Sequence, residues 1–197
     1  MPITLSLPLI LASASPRREE LLKTAGLTFR VIPANVNETG FEEETPQEHV
    51  RRLSREKARA VAVRHPDALV LGADTIVVID DMILGKPESK KQAREMLQKL
   101  SNRFHTVFTG FTLSSTDAGI SKTKVARSCV RFKKMDLEEI DWYINTKEPY
   151  DKAGGYAAQG KGAAFIRSIS GSYTNVIGLP LAGVLDELKN LKVLRYG

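Results

Sequence analysis

Two adjacent arginines, Arg17 and Arg18, follow a serine-rich turn in which Ser13 and Ser15 precede Pro16. A serine followed by proline is typical of a helix N-terminus, where the hydroxyl accepts from a backbone N–H and proline takes the first position. First turns favour acidic residues, because this end of a helix is partly positive. Two guanidiniums beside hydroxyls and free N–H groups therefore predict a phosphate site. Two solvated arginines are the alternative interpretation.

A carboxylate and a lysine are the next candidates for chemistry. Asp74 follows the apolar run 68–73, which predicts a strand buried on both faces. An acid just past such a strand lies where open α/β sheets bind ligands, although a cap or turn would also explain it. Lys57 lies four residues from both Leu53 and Val61, in the middle of a predicted buried helical stripe. We expect Lys57 either to extend to solvent or to reach an anion site.

Three loops carry further candidates. Glu38 stands apart in a polar segment, whereas the consecutive glutamates 42–44 predict a solvated loop. Lys86 is presented by a stiff Gly-Lys-Pro turn. Residues 151–162 contain four glycines, which is typical of backbone that passes close to a ligand. Gln159 in this stretch could bond a base edge through its amide, and an ordinary irregular loop is the alternative.

The elements that must position these residues alternate between apolar strands and amphipathic helices, which predicts an α/β protein. We expect one domain, residues 1–197, with two lobes and no separable linker. Capping signals and apolar periodicity predict helices over about 16–25, 45–64, 89–100, 136–148 and 178–191. Strands are predicted over about 9–12, 29–33, 68–73, 76–79, 104–114, 120–132, 163–169 and 173–177.

Composition narrows the class of protein. The chain has 197 residues, 42% of them hydrophobic, and a formal net charge of +6, which suits an anionic ligand. One cysteine excludes an intramolecular disulfide. No apolar run approaches the roughly 20 residues of a membrane span, so we expect no membrane association. The single cysteine is consistent with a reducing compartment, and we expect a cytoplasmic location. Aromatic residues make up 7% without a clustered stacking surface, which makes nucleic acid an unlikely partner.

Several separated segments, in the expected order, resemble one family across nearly the whole chain. They are Leu11-Ala12-Ser13-Ala14-Ser15-Pro16-Arg17-Arg18, Glu56-Lys57-Ala58, Gly72-Ala73-Asp74-Thr75, Gly85-Lys86-Pro87, Asp151-Lys152-Ala153-Gly154, Gln159-Gly160 and Tyr173 through Gly178-Leu179-Pro180-Leu181. This set resembles the Maf nucleoside triphosphate pyrophosphatases, house-cleaning enzymes of nucleotide metabolism.

The resemblance implies a fold, a reaction and partners. The fold is an elongated twisted mixed β-sheet flanked by helices, with two lobes and a central cleft, as in inosine triphosphate pyrophosphatases. The reaction is cleavage between the α- and β-phosphates with a divalent metal cation, Mg²⁺ or Mn²⁺, giving a nucleoside monophosphate and pyrophosphate. Asp74-Thr75 with Gln159 resembles the members that act on dTTP and UTP, and modified pyrimidine nucleotides are further candidate substrates. The family also suggests a homodimer.

The resemblance also assigns roles to individual residues. Asp74 matches the catalytic proton acceptor, and it could instead be a metal ligand with Glu38. The specificity positions match Arg17, Thr75 and Gln159. The expected phosphate-binding residues are Ser13, Ser15, Arg17, Arg18, Lys57 and Lys86. The chain departs from the family at Asn37, where an acid is common, and at Gly155, Ala157 and Ala158 in the glycine-rich loop.

Two other functions fit the same sequence. A nucleotide- or nucleic-acid-binding regulator of cell division or septum formation, without turnover, would also use the positive charge. A general phosphohydrolase would use the same phosphate-binding residues. Pyrophosphate released from UTP or dTTP separates the pyrophosphatase from both alternatives.

Overall fold

The computed structural model describes residues 3–41 and 43–197, which form two compact units. The first unit contains the chain up to Asp74, together with Thr109–Ala126 and Gly178–Gly197. The second unit contains Thr75–Phe108 and Arg127–Ile177. Each unit has a hydrophobic core of its own.

Within the described ranges the chain forms nine strands and six α-helices. The strands are β1 (Ile3–Leu5), β2 (Leu9–Leu11), β3 (Arg30–Val31), β4 (Leu69–Ile79), β5 (Met82–Leu84), β6 (Phe104–Ser115), β7 (Ile120–Phe132), β8 (Ile166–Ser170) and β9 (Leu194–Tyr196). The helices are α1 (Pro16–Thr24), α2 (Pro46–Ala62), α3 (Lys90–Leu100), α4 (Leu137–Ile144), α5 (Tyr173–Ile177) and α6 (Leu181–Asn190). Single 3₁₀ turns occupy Glu148–Asp151, Ala153–Gly155 and Lys161–Phe165.

The main sheet has the strand order β3-β2-β4-β6-β7-β8, with β5 added to β4. The strand β2 is parallel to both β3 and β4, whereas β5 is antiparallel to β4 and β8 is antiparallel to β7. The separate pair β1 and β9 is antiparallel. This mixed sheet with helices packed on it confirms the predicted α/β class. No helix in the described ranges is long and apolar enough to cross a bilayer.

The strand β4 corrects the predicted end of a strand at Asp74. One strand runs from Leu69 to Ile79, so Asp74 and Thr75 lie inside it rather than beyond it. Its residues are buried on both faces except for the half-buried Thr75, and β2 and β6 are its neighbours in the sheet. The polar pair does not break the strand, because the ladder continues on both sides of it.

The helix α2 packs directly on β4 in the first unit. Its capping box at Thr45 and Glu48 is formed as predicted. A β-carbon on Gly72 would lie 2.4 Å from the Ser54 carbonyl oxygen and 2.5 Å from the Ala58 nitrogen. Only glycine therefore allows the helix to approach this closely. The approach also brings Lys57, which lies between Ser54 and Ala58 in the same helical turn, to Asp74.

The second unit is built on apolar faces of α3 and α4 and on a group of buried aromatic rings. Tyr143, Phe132 and Phe165 are among its largest fully buried side chains. One strand prediction was wrong here, because Tyr173–Ile177 forms the short helix α5. The hydroxyl of Ser172 accepts from the Asn175 backbone N–H at 3.2 Å, which is a helix-capping contact that favours this turn over a strand.

Candidate functional site

Lys57 joins two carboxylates in the first unit. Its Nζ lies 2.7 Å from Asp74 Oδ1 and 2.8 Å from Glu38 Oε1. The Lys57 and Asp74 side chains are each 9% exposed, whereas the Glu38 side chain is 58% exposed. Lys57, which lies in the buried helical stripe, therefore forms ion pairs with two carboxylates and does not extend to solvent. Two carboxylates share one ammonium, so the group carries net negative charge.

Arg18 is buried beside this group. Its Nε donates to the Gly178 carbonyl at 2.8 Å, and its Nη1 donates to Ser13 Oγ at 3.0 Å. Burial lowers the pKa of the Arg18 guanidinium, the negative charge of Asp74 and Glu38 opposes that shift, and the charge of Arg17 adds to it. The interpretation of two solvated arginines is wrong for Arg18, and Arg17 is half-buried.

The Ser13–Ser15 turn differs in detail from the prediction. Ser15 stands at the N-cap of α1, but its hydroxyl makes no capping bond. Its backbone N–H instead donates to Ser13 Oγ at 3.2 Å. Because Ser13 already accepts from Arg18, it links the turn to the buried guanidinium. Five of the predicted site residues thus lie together in the first unit, namely Ser13, Arg18, Glu38, Lys57 and Asp74.

The loop that carries Glu38 is anchored by Arg52 on α2. The Arg52 guanidinium donates to both Glu44 oxygens, at 2.6 and 2.8 Å, and to the Thr39 carbonyl at 3.1 Å. Its Cζ also lies 4.2 Å from the centre of the Phe41 ring. Asn37 Oδ1 accepts from the Thr39 backbone N–H at 3.0 Å, which shapes the turn around Glu38.

Glu44 was wrongly predicted to be a solvated loop residue. Its side chain is only 9% exposed, and His49 Nδ1 contacts it at 3.0 Å in addition to Arg52. The hydrogen bond from Arg52 is the largest cause that lowers the pKa of Glu44 to about 2, and His49 adds to it. Glu43 is exposed as expected, and Glu42 lies outside the described residues.

Gln159 is half-buried in a loop of the second unit that is held on both sides. Before it, the Ala157 backbone N–H donates to the Tyr143 hydroxyl at 3.1 Å. After it, the backbone N–H groups of Lys161 and Gly162 donate to the Glu148 carboxylate at 3.0 and 2.9 Å. Two side chains that lie outside this loop, Tyr143 and Glu148, therefore hold its backbone on both sides of Gln159.

The remaining predicted residues also belong to the second unit. Lys86 is exposed on the segment after β5, and Thr75 is half-buried next to Asp74 along β4. The Gly85 carbonyl accepts from the Gly154 backbone N–H at 3.0 Å, which ties the Lys86 segment to the beginning of the glycine-rich stretch.

The donor set suits a hard divalent cation. Glu38 and Asp74 each bond Lys57 Nζ through one oxygen, so the two carboxylates lie beside the same ammonium and each has a second oxygen for another ligand. Magnesium is commonly held by one or two carboxylates, with waters and substrate phosphates as the other ligands. No cluster of three or more His, Cys, Asp or Glu side chains with metal-binding geometry occurs in residues 3–41 and 43–197. The two carboxylates therefore fit a metal shared with a ligand rather than a closed protein cage.

Four structural residues were missed by sequence reasoning. They are Glu44, Arg52, Tyr143 and Glu148. Arg52 offered a weak signal, since Glu56 follows it by four residues on the same helical face. Glu148 gave none, because an acid before a proline is ordinary at the end of a helix.

Comparison with known proteins gives consistent results. A family model described as Maf-like protein matches residues 8–191. The chain is 57% identical over 188 residues to a dTTP/UTP pyrophosphatase of Syntrophus aciditrophicus, with 95% of this chain and 92% of the relative covered. It is 51% identical over 180 residues to a dTTP/UTP pyrophosphatase of Symbiobacterium thermophilum, with 91% and 92% covered.

A solved structure supports the fold class. The Ham1 protein of Staphylococcus aureus matches with a TM-score of 0.52 and 17% sequence identity, covering 91% of this chain and 99% of that chain. At this identity the likeness concerns the fold alone. It agrees with the mixed sheet and flanking helices described above.

Proposed function

Because the chain belongs to the Maf family, we propose that it is a nucleoside triphosphate pyrophosphatase that converts dTTP and UTP to the monophosphate and pyrophosphate. The relatives named dTTP/UTP pyrophosphatase, at 57% and 51% identity, support this substrate class. The observation that carries the proposal is the ion-pair group in which the buried Lys57 joins the buried Asp74 and the exposed Glu38 beside Arg18.

The cations of the site suit a polyanionic substrate. A triphosphate repels an attacking water through its own oxygens, so positive charge and alignment are most of the catalysis. Arg18 is held in place by Ser13 and the Gly178 carbonyl, so little of its freedom is lost on binding phosphate. We assign Arg17, Arg18, Lys57, Ser13, Ser15 and Lys86 to the phosphates.

Asp74 is the proposed proton acceptor. Water attacks the α-phosphorus and its oxygen forms the new bond. The bond from that phosphorus to the bridging oxygen breaks, pyrophosphate leaves, and the water proton passes to the Asp74 carboxylate. Lys57, whose Nζ lies 2.7 Å from Asp74 Oδ1, holds the carboxylate in one orientation before the reaction. Hydrolysis in ¹⁸O-water should place the label in the monophosphate, and label in pyrophosphate would contradict this direction of attack.

A divalent cation, Mg²⁺ or Mn²⁺, is the proposed cofactor, held by Glu38 and Asp74. When bound, it would neutralise phosphate oxygens and favour the departure of pyrophosphate. The exposed Glu38 is the carboxylate that a metal–nucleotide complex would reach from solvent, and the buried Asp74 is the fixed one. Asn37 stands where the family often carries an acid, and it serves the loop as a hydrogen-bond acceptor instead.

Base choice is assigned to Arg17, Thr75 and Gln159. The Gln159 amide offers one donor and one acceptor edge, which matches the complementary edge of uracil or thymine. Within the described residues that amide makes no protein hydrogen bond. A homodimer and a cytoplasmic location are parts of the same proposal that stay predictions.

The experiment is a product-resolved substrate panel with purified protein and Mg²⁺ or Mn²⁺. We expect pyrophosphate from UTP and dTTP, less from CTP and purine nucleotides, and none after chelation with EDTA. Asp74→Asn should lower the rate by about 10²–10⁴-fold. The exposed Asp186→Asn is the matched control and should keep wild-type activity. Orthophosphate as the first product, or full activity in Asp74→Asn, would contradict the proposal.

A further inference from the structure

We propose that Tyr143 and Glu148 are specificity-determining residues that position Gln159 for base recognition without touching the nucleotide. This inference rests on the proposed function and on the role assigned to Gln159. It concerns two side chains that lie outside the loop and whose contacts enclose it.

The two side chains form a continuous hydrogen-bonded group. The Tyr143 hydroxyl donates to Glu148 Oε1 at 2.9 Å and accepts from the Ala157 backbone N–H at 3.1 Å. Glu148 Oε1 also accepts from Gly162 at 2.9 Å, and Oε2 accepts from Lys161 at 3.0 Å. The pair therefore holds the backbone two residues before Gln159 and two and three residues after it.

The loop also lies against the pair too closely for side chains. A β-carbon on Gly160 would lie 2.6 Å from Glu148 Oε2, and Gly160 has a φ of 126°. A β-carbon on Gly162 would lie 2.7 Å from the Tyr143 hydroxyl. Hydrogen bonds and steric contact thus fix the same short segment, and Gln159 is the residue with a long polar side chain between Ala157 and Gly160.

The protonation states suit these contacts. Burial alone would raise the pKa of Glu148, but hydrogen bonds from Gly162, Lys161 and Tyr143 leave it below its ordinary value. Glu148 is therefore an anion that only accepts, as three converging donors require. Burial raises the pKa of the Tyr143 hydroxyl, so this hydroxyl keeps the proton that it donates.

The arrangement has a consequence for recognition. A hydrogen bond to a base edge is directional, and it weakens steeply when donor and acceptor are misaligned. A displacement of about 1 Å in a supporting element is enough to degrade such a site. Tyr143 is fully buried, and three protein donors already contact the Glu148 carboxylate. We therefore assign both as positioning residues rather than catalytic ones.

The test compares Glu148→Gln with wild type and with Glu95→Gln, an exposed control on α3 of the same unit. A glutamine cannot accept all three bonds, because one of its two terminal positions is a donor. We expect the ratio of kcat/KM for UTP over CTP to fall about tenfold, the effect of one lost bond to a charged acceptor. The kcat for UTP should stay within about threefold, and Glu95→Gln should match wild type.

A double-mutant cycle separates positioning from general loosening. If Glu148 acts through Gln159, Glu148→Gln should not change the UTP-over-CTP ratio further in a Gln159→Ala background. Tyr143→Phe, which removes only the hydroxyl, is the second variant and should lower the ratio in the same way. It keeps the proposal testable if Glu148→Gln folds poorly, which thermal unfolding will reveal.

Each outcome decides the inference. If the wild-type protein prefers UTP and the variants keep this preference, the inference is wrong and the proposed function still stands. Equal losses for all nucleotides, or additive losses in the Gln159→Ala background, overturn it as well. A wild-type protein that releases no pyrophosphate from any nucleotide overturns both. A reduced preference that depends on Gln159 supports the inference.

Discussion

Two loops that carry proposed ligand-binding residues are each fixed by a glutamate, but through different chemistry. Around Glu38, the anchor Glu44 is bonded by charged or ionisable side chains, mainly Arg52 and with it His49. Around Gln159, the anchor Glu148 accepts from two backbone N–H groups and a tyrosine hydroxyl. The first anchor depends on side-chain charge, and the second depends on backbone geometry.

The difference matches what each loop has to hold. Glu38 is proposed to act through its charge on a metal ion, and its loop is held by the charged side chains of Arg52 and Glu44. Gln159 is proposed to act by a directional amide contact, which needs its backbone in one place. We therefore expect damage to the first loop to lower the rate for every nucleotide, and damage to the second loop to alter the choice among nucleotides.

The largest effect should come from Lys57→Met, which removes the cation shared by Glu38 and Asp74. We expect kcat/KM for UTP to fall by about 10²–10³-fold, because a preorganised charge in a buried site is lost. The UTP-over-CTP ratio should stay unchanged, and steady-state kinetics on both substrates measures it. Lys189→Met, an exposed change on α6, is the control. A changed UTP-over-CTP ratio would contradict the proposal that the Glu38 loop affects the rate and the Gln159 loop affects the choice of base.

Gly160→Ala tests the backbone dependence of the Gln159 loop. The new β-carbon would meet Glu148 and require a left-handed φ of 126°, so we expect a loss of about 1–3 kcal/mol in the free energy of unfolding. Gly119→Ala is the control, since Gly119 has a φ of 62° with nothing within 4 Å of the added carbon. Urea unfolding of both variants gives the comparison. Equal losses in the free energy of unfolding would mean that the contact with Glu148 does not add to the destabilisation.

Arg52→Gln tests the charge-based anchor. The variant loses the paired bonds to Glu44 and the bond to the Thr39 carbonyl, so Glu38 is less well placed. We expect about a tenfold lower rate at limiting Mg²⁺ and an unchanged base preference. Binding of Mn²⁺ followed by electron paramagnetic resonance should weaken in parallel. Arg51→Gln, a change at the exposed neighbouring arginine, is the control and should behave as wild type. A changed base preference in Arg52→Gln would contradict the proposed difference between the two loops.

The smallest expected effect is a loss of folding stability at acidic pH that depends on Glu44. The pKa of Glu44 lies at about 2 in the folded chain, below the ordinary value of 4.5. Its contribution to stability is therefore complete above about pH 4.5 and is lost as the pH falls towards 2. The difference in unfolding free energy between wild type and Glu44→Gln should shrink over this range and also in high salt. A difference in unfolding free energy that grows as the pH falls would contradict this prediction.

The residues that act by type and local spacing could be predicted from the sequence. Asp74, Lys57 and Arg18 stand out because a charge follows an apolar strand, lies within an apolar helical stripe or occupies the first turn of a helix. Residues that act by long-range contact could not be predicted. Tyr143 bonds the Ala157 N–H fourteen residues away, and only the tertiary structure makes that contact visible.

Local propensity also failed where two signals competed. The β-branched and aromatic residues at 173–177 favoured a strand, but capping by Ser172 favours the helix α5. Asp74-Thr75 indicated the end of a strand, although apolar residues on both sides continue it to Ile79. The capping bond of Ser172 outweighed the strand propensity of residues 173–177, and pairing of β4 with its neighbouring strands outweighed the turn signal of Asp74-Thr75.

The position of Asp74 inside β4 has a consequence for motion. Its backbone belongs to a strand whose sheet neighbours are β2 and β6, so the amides around it should be among the slowest to exchange with deuterium. The amides of the exposed segment near Thr39, which lies outside regular strands, should exchange much sooner. Asp74, the proposed proton acceptor, would then stay fixed through the catalytic cycle, and the rate of turnover would be set by the opening of the loop around Glu38 and by product release.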